Sequence, residues 1–422
     1  MKPNLGTRIV LALGIPILLT GALSESRRLA PWVSDFRVYY TAASLVRSGQ
    51  SVHVYDDAQK NVNRFFVEAD QDTVYATAAR AHGFTKIEHY NYPPTLADLL
   101  APLTFLSFLS ASILWQLLNL AAVLSSALML ARMLGMRSLV HAALVAVFLL
   151  AFRPSLTAFN WGQVSFILLF LSMAALSLYI RGQKLWAGFL FALAAAIKLT
   201  PFIVIVPLVA WRDWKIVRAF ALWAVAIFAV LMIVNGRETT SLYFLHLLPS
   251  MANGAMDIDN RSFASLFTVY YFGFVQDAPP PWPIWAERLL SITVLCYAAW
   301  LSRSNREDYP PNNARLEIIA IFLLFSCCLA PVSWVHAYVL AAPALVVAGK
   351  RIWERRSNTA EIALLMLFWL SLSVSTLKVS HFVVLTPLLG VAWGLMRLRE
   401  LQIERCPKRG SQMAPVSHSA QF

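Results

Sequence analysis

Asp35 is the carboxylate of this sequence best placed to do chemistry. It opens the run Asp35-Phe-Arg-Val-Tyr39-Tyr40, shortly after an apolar stretch that ends near Leu23. At the edge of an apolar region a carboxylate is partly desolvated. That lifts its pKa toward the range useful to a general base. Asp is also a good N-cap, here for a helix from Phe36 onward, and the sequence alone leaves both readings standing. Lys198 is a second candidate. It closes the apolar run Ala187-Gly-Phe-Leu-Phe-Ala-Leu-Ala-Ala-Ala-Ile-Lys198, just ahead of Pro201. A charge deep in a bilayer costs about 3 kcal/mol, so ionisable residues there usually serve a site. As a point charge the ammonium suits a phosphate; the other reading is a side chain that snorkels to the interface. His336, in Ser333-Trp-Val-His336, starts another apolar run. It is suited to donate to a phosphate or relay a proton, or to a plain structural role near a helix end.

Around these three stand polar and aromatic residues that suit substrate binding: Tyr39, Tyr92, Asn160, Gln163, Asn260 and Trp334. Tyr92 belongs to Tyr90-Asn-Tyr92-Pro93-Pro94. Its rings can stack on a sugar, while the prolines read as a rigid turn at the entry to the membrane. Several chemistries are excluded. There is no Walker A loop, no HExxH and no Cys/His metal set. Asp257-Ile-Asp259 is a weak version of the acidic pair that holds a metal-bound nucleotide. Cys296, Cys327, Cys328 and Cys406 have neither metal-ligand spacing nor a disulfide pattern. No metal or other cofactor is expected.

The elements that must position these residues are membrane helices. Of 422 residues 59% are hydrophobic and 14% charged, against about 25% charged in soluble domains; the mean hydropathy is +0.61. The apolar residues fall in runs of roughly 15 to 25, the length that crosses about 30 Å of hydrocarbon. Alternate loops differ in kind. One set is short and basic: Arg132/Arg137, Arg181/Lys184, Arg212/Lys215/Arg218, Arg303/Arg306 and Lys350/Arg351/Arg355/Arg356. The other set holds Asp35, Tyr92, Asn160, Asn260 and His336. Basic loops stay in the cytoplasm, so the second set gathers on the far face. The net charge of +13 is explained by those basic loops and the tail rather than by nucleic acid, for which no module is visible.

The expected path begins with a crossing at 9–24, expected to be kept rather than cleaved as a signal peptide because later loops need it, followed by a first extracytoplasmic loop at 25–94. The apolar clusters Val38–Leu45 and Phe65–Val67 predict interfacial helices within that loop. A further interfacial or re-entrant stretch is expected at 95–109, then crossings at 111–131, 138–152 and 164–180. The run 185–211 is broken at Lys198–Pro201 and basic at both ends, which predicts a helical hairpin lining a cavity. A crossing at 216–234 leads to a second large loop at 235–285, and five more lie at 286–302, 316–330, 336–349, 360–376 and 380–396. The sum is about twelve crossings, with both termini cytoplasmic in a bacterial inner membrane. The fold class is thus an all-α polytopic membrane protein, a single domain over 1–400 with a basic, disordered cytoplasmic tail at 401–422.

In their order, Asp35…Tyr39/Tyr40…Gly49…Tyr55, Tyr92-Pro93-Pro94…Pro102-Leu103, Asn160-x-Gly162-Gln163, Lys198-x-x-Pro201, Asn260-x-Ser262 and Ser333-Trp334-x-His336 resemble glycosyltransferase family 87. These are membrane enzymes of the GT-C superfamily that include polyprenyl-phosphate-mannose-dependent mannosyltransferases. Two positions depart from the pattern: Ala337 follows His336 where a second polar residue is common, and Arg261 stands where Gln is common. The resemblance implies a polyprenyl-phosphate sugar donor, a lipid or glycan acceptor and an inverting transfer without a nucleotide. Asp35 would be the base, with Lys198 and His336 at the donor phosphate. A single displacement needs one carboxylate, which fits one prominent Asp rather than a pair. The competing readings are a transporter or lipid flippase, for which the broken hairpin speaks, and a catalytically silent scaffold in which Asp35 only caps a helix.

Overall fold

The computed structural model describes residues 34–56, 66–68, 73–84, 86–252, 260–264, 266, 282–304, 310–354, 356–373 and 385–405. The crossing expected at 9–24, the Asp257-Ile-Asp259 pair, Cys406 and most of the basic tail lie outside the described residues. Within them the chain is helical apart from one short ribbon. Among the described residues five helices are long and apolar enough to cross a membrane, or up to six if one bent pair counts as a span. This is a polytopic membrane protein.

The chain opens on α1 (Ser34–Arg47), a short 3-10 turn, β1 (Phe66–Glu68), α2 (Val74–Ala81), β2 (Lys86–Glu88) and α3 (Pro94–Leu100). β1 and β2 are antiparallel, with Val67 opposite Ile87. The first loop therefore departs from the all-helical expectation at Phe66 and Val67, while Phe65 lies outside the described residues. β-branched and aromatic residues in so short a run favour a pleated pair over a helix. The cluster Val38–Leu45 is helical as expected, but it does not lie open on a membrane. Phe36, Val38, Tyr39, Ala42 and Ala43 are all buried in α1, which packs against α2, α3 and β2.

Next come α4 (Phe108–Met133), α5 (Leu139–Ala151), α6 (Arg153–Trp161), α7 (Ser165–Ile180), α8 (Lys184–Ile197), α9 (Ile205–Ala210) and α10 (Trp214–Val234). The short α11 (Gly236–Ser241) and α12 (Leu248–Met251) flank a π-turn in the second large loop. The last helices are α13 (Trp282–Ser302), α14 (Asn312–Leu329), α15 (Ala342–Trp353), α16 (Thr359–Ser373) and α17 (Leu385–Arg405). α14 is central: 83% of its apolar window is buried, against 22% in α10. On α10, Leu222, Val225, Val230 and Ile233 are exposed. Water would not tolerate that outer surface, and lipid accepts it.

The connection after α5 differs from the loop expected there. α5 and α6 meet at a bend of 66°. Pro154 stands in the first turn of α6, where its missing N–H costs nothing. The break expected between the halves of 185–211 is present: α8 stops at Ile197, Lys198 is extended, and Thr200–Val204 forms a 3-10 turn before α9.

Close approach and buried charge hold the helices in register. A Cβ at Gly188 of α8 would meet the Ala219 Cβ and the Phe220 backbone N on α10 at 2.8 Å, so only glycine lets these backbones touch. Arg153 and Arg261, both buried, donate to the Leu372 and Ser371 carbonyls at 2.6 and 2.7 Å. They tie α6 and the segment 260–262 to the last described turn of α16. Other ion pairs collect near the opposite ends of the helices that reach the site. Lys184 pairs with Asp213 at 2.7 Å, Arg397 with Glu317 at 2.5 Å and Arg351 with Glu361 at 3.5 Å.

Candidate active site

The site builds from α1. Phe36 stacks on Trp115 at 5.6 Å and on Phe108 at 5.9 Å, which pins the start of α1 to α4. The helix includes Ser34, so Asp35 lies within the first turn rather than capping a helix from Phe36. An acidic group there is favoured by the helix dipole. Asp35 is 7% exposed, and Tyr39 follows one turn later on the same side.

Tyr90-Asn-Tyr92-Pro93-Pro94 divides its labour. The Tyr90 hydroxyl donates to the Pro93 carbonyl at 2.9 Å and accepts from the Ala97 N–H at 3.0 Å. Pro93 caps α3 and Pro94 begins it. These residues build the turn. Tyr92 is held by Tyr55, whose hydroxyl donates to the Tyr92 carbonyl at 2.8 Å, and its ring is turned to the cavity. Gln163 ties the two tyrosines together: its Oε1 accepts from the Tyr39 hydroxyl at 3.0 Å and from the Tyr92 hydroxyl at 3.1 Å. The side chain reaches them because Gly162 ends α6 in the left-handed region, with φ +67°. Trp115 fixes that turn by donating to the Gly162 carbonyl at 2.7 Å.

Lys198 comes in at the end of α8. Its Nζ stands 5.2 Å from the centroid of the Tyr92 ring, a cation–π distance, and it is in electrostatic reach of Asp35. His336 opens the 3-10 turn Val335–Ala341. It is 2% exposed, its ring lies 5.3 Å from that of Trp161, and neither ring nitrogen has a hydrogen-bond partner. Buried polar groups are normally satisfied, so an unpaired imidazole points to a ligand.

The loop that carries Trp334 and His336 is stitched to the segment 260–262. Asn260 accepts from the Ser333 N–H at 2.9 Å and donates to the Pro331 carbonyl at 3.2 Å. The Ser262 hydroxyl donates to the same carbonyl at 3.1 Å, and Tyr338 donates to the Arg261 carbonyl at 2.6 Å.

One cavity of about 310 Å³ brings Asp35, Tyr39, Tyr92, Gln163, Lys198, Trp334 and His336 together. Asn160 and Asn260 do not line it. Asn160 lies on α6, and Asn260 braces the loop behind the wall. The cavity also takes in Trp161, from the same turn as Gln163, and residues that the sequence did not single out: Glu88, His89 and Tyr243. Glu88 is the most consequential. Half-buried at the end of β2, it shares a hydrogen bond with the Asp35 carboxyl. Burial pushes the Glu88 carboxyl up from its ordinary value, and the bond to Asp35 draws it partway back. The expected lone carboxylate is thus accompanied by a second. The one signal available was an acidic residue two places ahead of Tyr90. Leu248, Met251, Ala330 and Val332 give the cavity an apolar side. Among the described residues no cluster of three His, Cys, Asp or Glu stands ready for a metal ion.

Chemically the cavity offers two carboxyls, Asp35 and Glu88, an ammonium, Lys198, in electrostatic reach of Asp35, and aromatic side chains in the same wall. No solved structure matches the chain. Curated relatives do. A polyprenol-phosphate-mannose-dependent alpha-(1-2)-phosphatidylinositol pentamannoside mannosyltransferase of Mycolicibacterium smegmatis is 26% identical over 264 residues, 61% of this chain and 60% of that one. Its namesake in Mycobacterium tuberculosis is 26% identical over 263 residues, 61% and 57% of the two chains. A polyprenol-phosphate-mannose-dependent alpha-(1-2)-phosphatidylinositol mannoside mannosyltransferase of Mycobacterium tuberculosis is 24% identical over 298 residues, 66% and 65%. The chain spans about three fifths of the length of the first two relatives. The pattern of Glycosyltransferase family 87 matches residues 90–331, a span that contains Tyr92, Gln163 and Lys198 and to which the fold adds Asp35 and His336. On that match the chain belongs to glycosyltransferase family 87.

Proposed function

We propose that this protein is a membrane mannosyltransferase. It takes a mannose-like hexose from a polyprenyl-phosphate donor and passes it to a lipid or glycan acceptor in an inverting single displacement. The observation that carries the reading is that Asp35 and Lys198 line one cavity in electrostatic reach of each other, with the unpaired His336 imidazole in its wall. A polyprenyl chain gains about 0.8 kcal/mol per buried CH₂ from staying in lipid, so the donor arrives from the membrane and presents its head to the cavity. The hexose lies against Tyr39, Tyr92 and Trp334. The acceptor hydroxyl attacks the anomeric carbon and its proton goes to Asp35. The bond from that carbon to the phosphate oxygen breaks, and the electron pair leaves with polyprenyl phosphate. Lys198 and His336 meet the added negative charge, an electrostatic task for fixed cations and donors.

The reading includes about twelve crossings, of the kind found in the GT-C superfamily. Both termini are cytoplasmic and the cavity opens on the extracytoplasmic face of a bacterial inner membrane. The alternation of basic and polar loops supports this. So does the placement of site residues and ion pairs at opposite ends of α8 and α14.

The test is transfer by purified protein in lipid, supplied with synthetic polyprenyl-phosphate hexoses and phosphatidylinositol mannosides. Release of polyprenyl phosphate is read by mass spectrometry. Mannose-dependent release that disappears in Asp35→Asn is expected. Saturable binding of an unrelated solute with no release from any hexose donor would replace this reading with transport.

A further inference from the structure

Glu88 is placed too deliberately to be a bystander. β2 lies against α1, so the last residue of the ribbon faces the first turn of that helix. Its backbone is fixed from a third element, because Tyr75 on α2 donates to the Glu88 carbonyl at 3.2 Å. Its side chain lines the same cavity as Asp35 and hydrogen-bonds to it. We propose that Glu88 is the second half of the base: Asp35 and Glu88 act as one pair that takes up the acceptor's proton and holds it between two carboxyls.

The reason is the strength of the base. A lone carboxylate is a weak base for a sugar hydroxyl, and proton transfer is most efficient when the base titrates near the working pH. Two carboxylates in contact repel, which raises the affinity of the pair for its first proton. Once taken, that proton sits in a charge-assisted carboxyl–carboxylate hydrogen bond. The two groups titrate as a unit, with apparent pKa values that belong to the pair. Lys198 faces the pair from the end of α8, Tyr39 from α1 and Tyr92 from the turn before α3, and His89 follows Glu88 in the cavity wall. During transfer the acceptor O–H bond breaks as the new bond to the anomeric carbon forms. The proton ends on the pair, the electron pair on polyprenyl phosphate, and no other reactant is needed.

This inference rests on Asp35 as the base, and the experiment separates the two. Transfer by the full chain in lipid is followed against pH in wild type, Glu88→Gln, Glu88→Asp and Asp35→Asn. A base works when deprotonated, so activity rises with pH through the upper apparent pKa of the pair. Glu88→Gln removes the like charge, so that rise moves to lower pH by about one unit or more and the plateau kcat falls about tenfold, as expected for a weaker base. Glu88→Asp restores part of both effects. In protein without donor, the carboxylic-acid stretch in the infrared titrates in two coupled steps in wild type and loses one in Glu88→Gln.

A pH profile that Glu88→Gln leaves in place, with normal protein levels, would overturn the pair while Asp35 remained the base. Transfer that survives Asp35→Asn would overturn the base assignment itself. Absence of transfer from every polyprenyl-phosphate hexose, with the two-step infrared titration intact, would support the pair and contradict the donor.

Discussion

The Lys198 ammonium stands 5.2 Å from the centroid of the Tyr92 ring. That contact joins the break after α8 to the turn before α3, 106 positions earlier in the chain. A cation over an aromatic face is held without being neutralised. Among the described residues no ion pair or hydrogen bond is formed by the ammonium. Its charge stays available to a phosphate.

Removing that charge tests the donor end. Lys198→Gln should lower kcat/KM by roughly 10- to 100-fold, as expected for a charge-assisted hydrogen bond of about 1.5–3 kcal/mol. Lys198→Arg should retain more activity. Steady-state kinetics against donor concentration check this; equal activity in wild type and Lys198→Gln would remove Lys198 from the phosphate site.

Gln163 is expected to act through the two tyrosines. Gln163→Leu removes the acceptor that the Tyr39 and Tyr92 hydroxyls share, at a cost of about 0.5–1.5 kcal/mol for each hydrogen bond lost. The thermal midpoint in detergent should fall. Tyr39→Phe made together with Gln163→Leu should recover part of the loss, because the hydroxyl that lost its acceptor goes with it. A strictly additive double variant would contradict the coupling.

Much of this site could be read from the chain, and the misreadings have physical causes. Asp35, Tyr92, Gln163, Lys198 and His336 announce themselves because polar or charged residues at the edges of apolar runs are costly without a task. The break after Ile197 was legible from Lys198 and Pro201. The role of Asn260 was not, since an asparagine that braces a loop looks the same in sequence as one that faces a sugar. Glu88 was hidden for another reason. Its importance arises from a two-stranded ribbon that turns it onto Asp35, and three-residue strands leave almost no periodic signal. The 66° bend after α5 was likewise read as the end of a helix, because Arg153-Pro154 marks a helix stop and a helix start equally well.

Packing at α8 gives a prediction independent of chemistry. Gly188→Val introduces a side chain where a Cβ already meets α10 at 2.8 Å. Overpacking of this kind costs about 1–3 kcal/mol, so the variant should unfold or aggregate at a lower temperature than wild type. Size-exclusion profiles after heating would show it; an unchanged midpoint would mean that α8 and α10 are not in contact at this point.

Stability should depend on pH through Glu88. Its carboxyl titrates above the ordinary value when folded, so the folded state holds more protons than the unfolded state between about pH 4.3 and the raised value. Stability therefore falls as pH rises through that window and stays lower above it. Glu88→Gln should flatten the fall. Thermal midpoints of the two proteins across that range provide the check, and parallel curves would contradict it.

The most direct test of the account is to separate donor binding from transfer in Asp35→Asn. Binding of polyprenyl-phosphate mannose in lipid should remain saturable, with a Kd near that of wild type, because Lys198 and the aromatic wall are intact. The single-turnover rate should drop by about 10²–10⁴-fold, the range of base assistance. Transfer at the wild-type rate in Asp35→Asn would contradict the central claim.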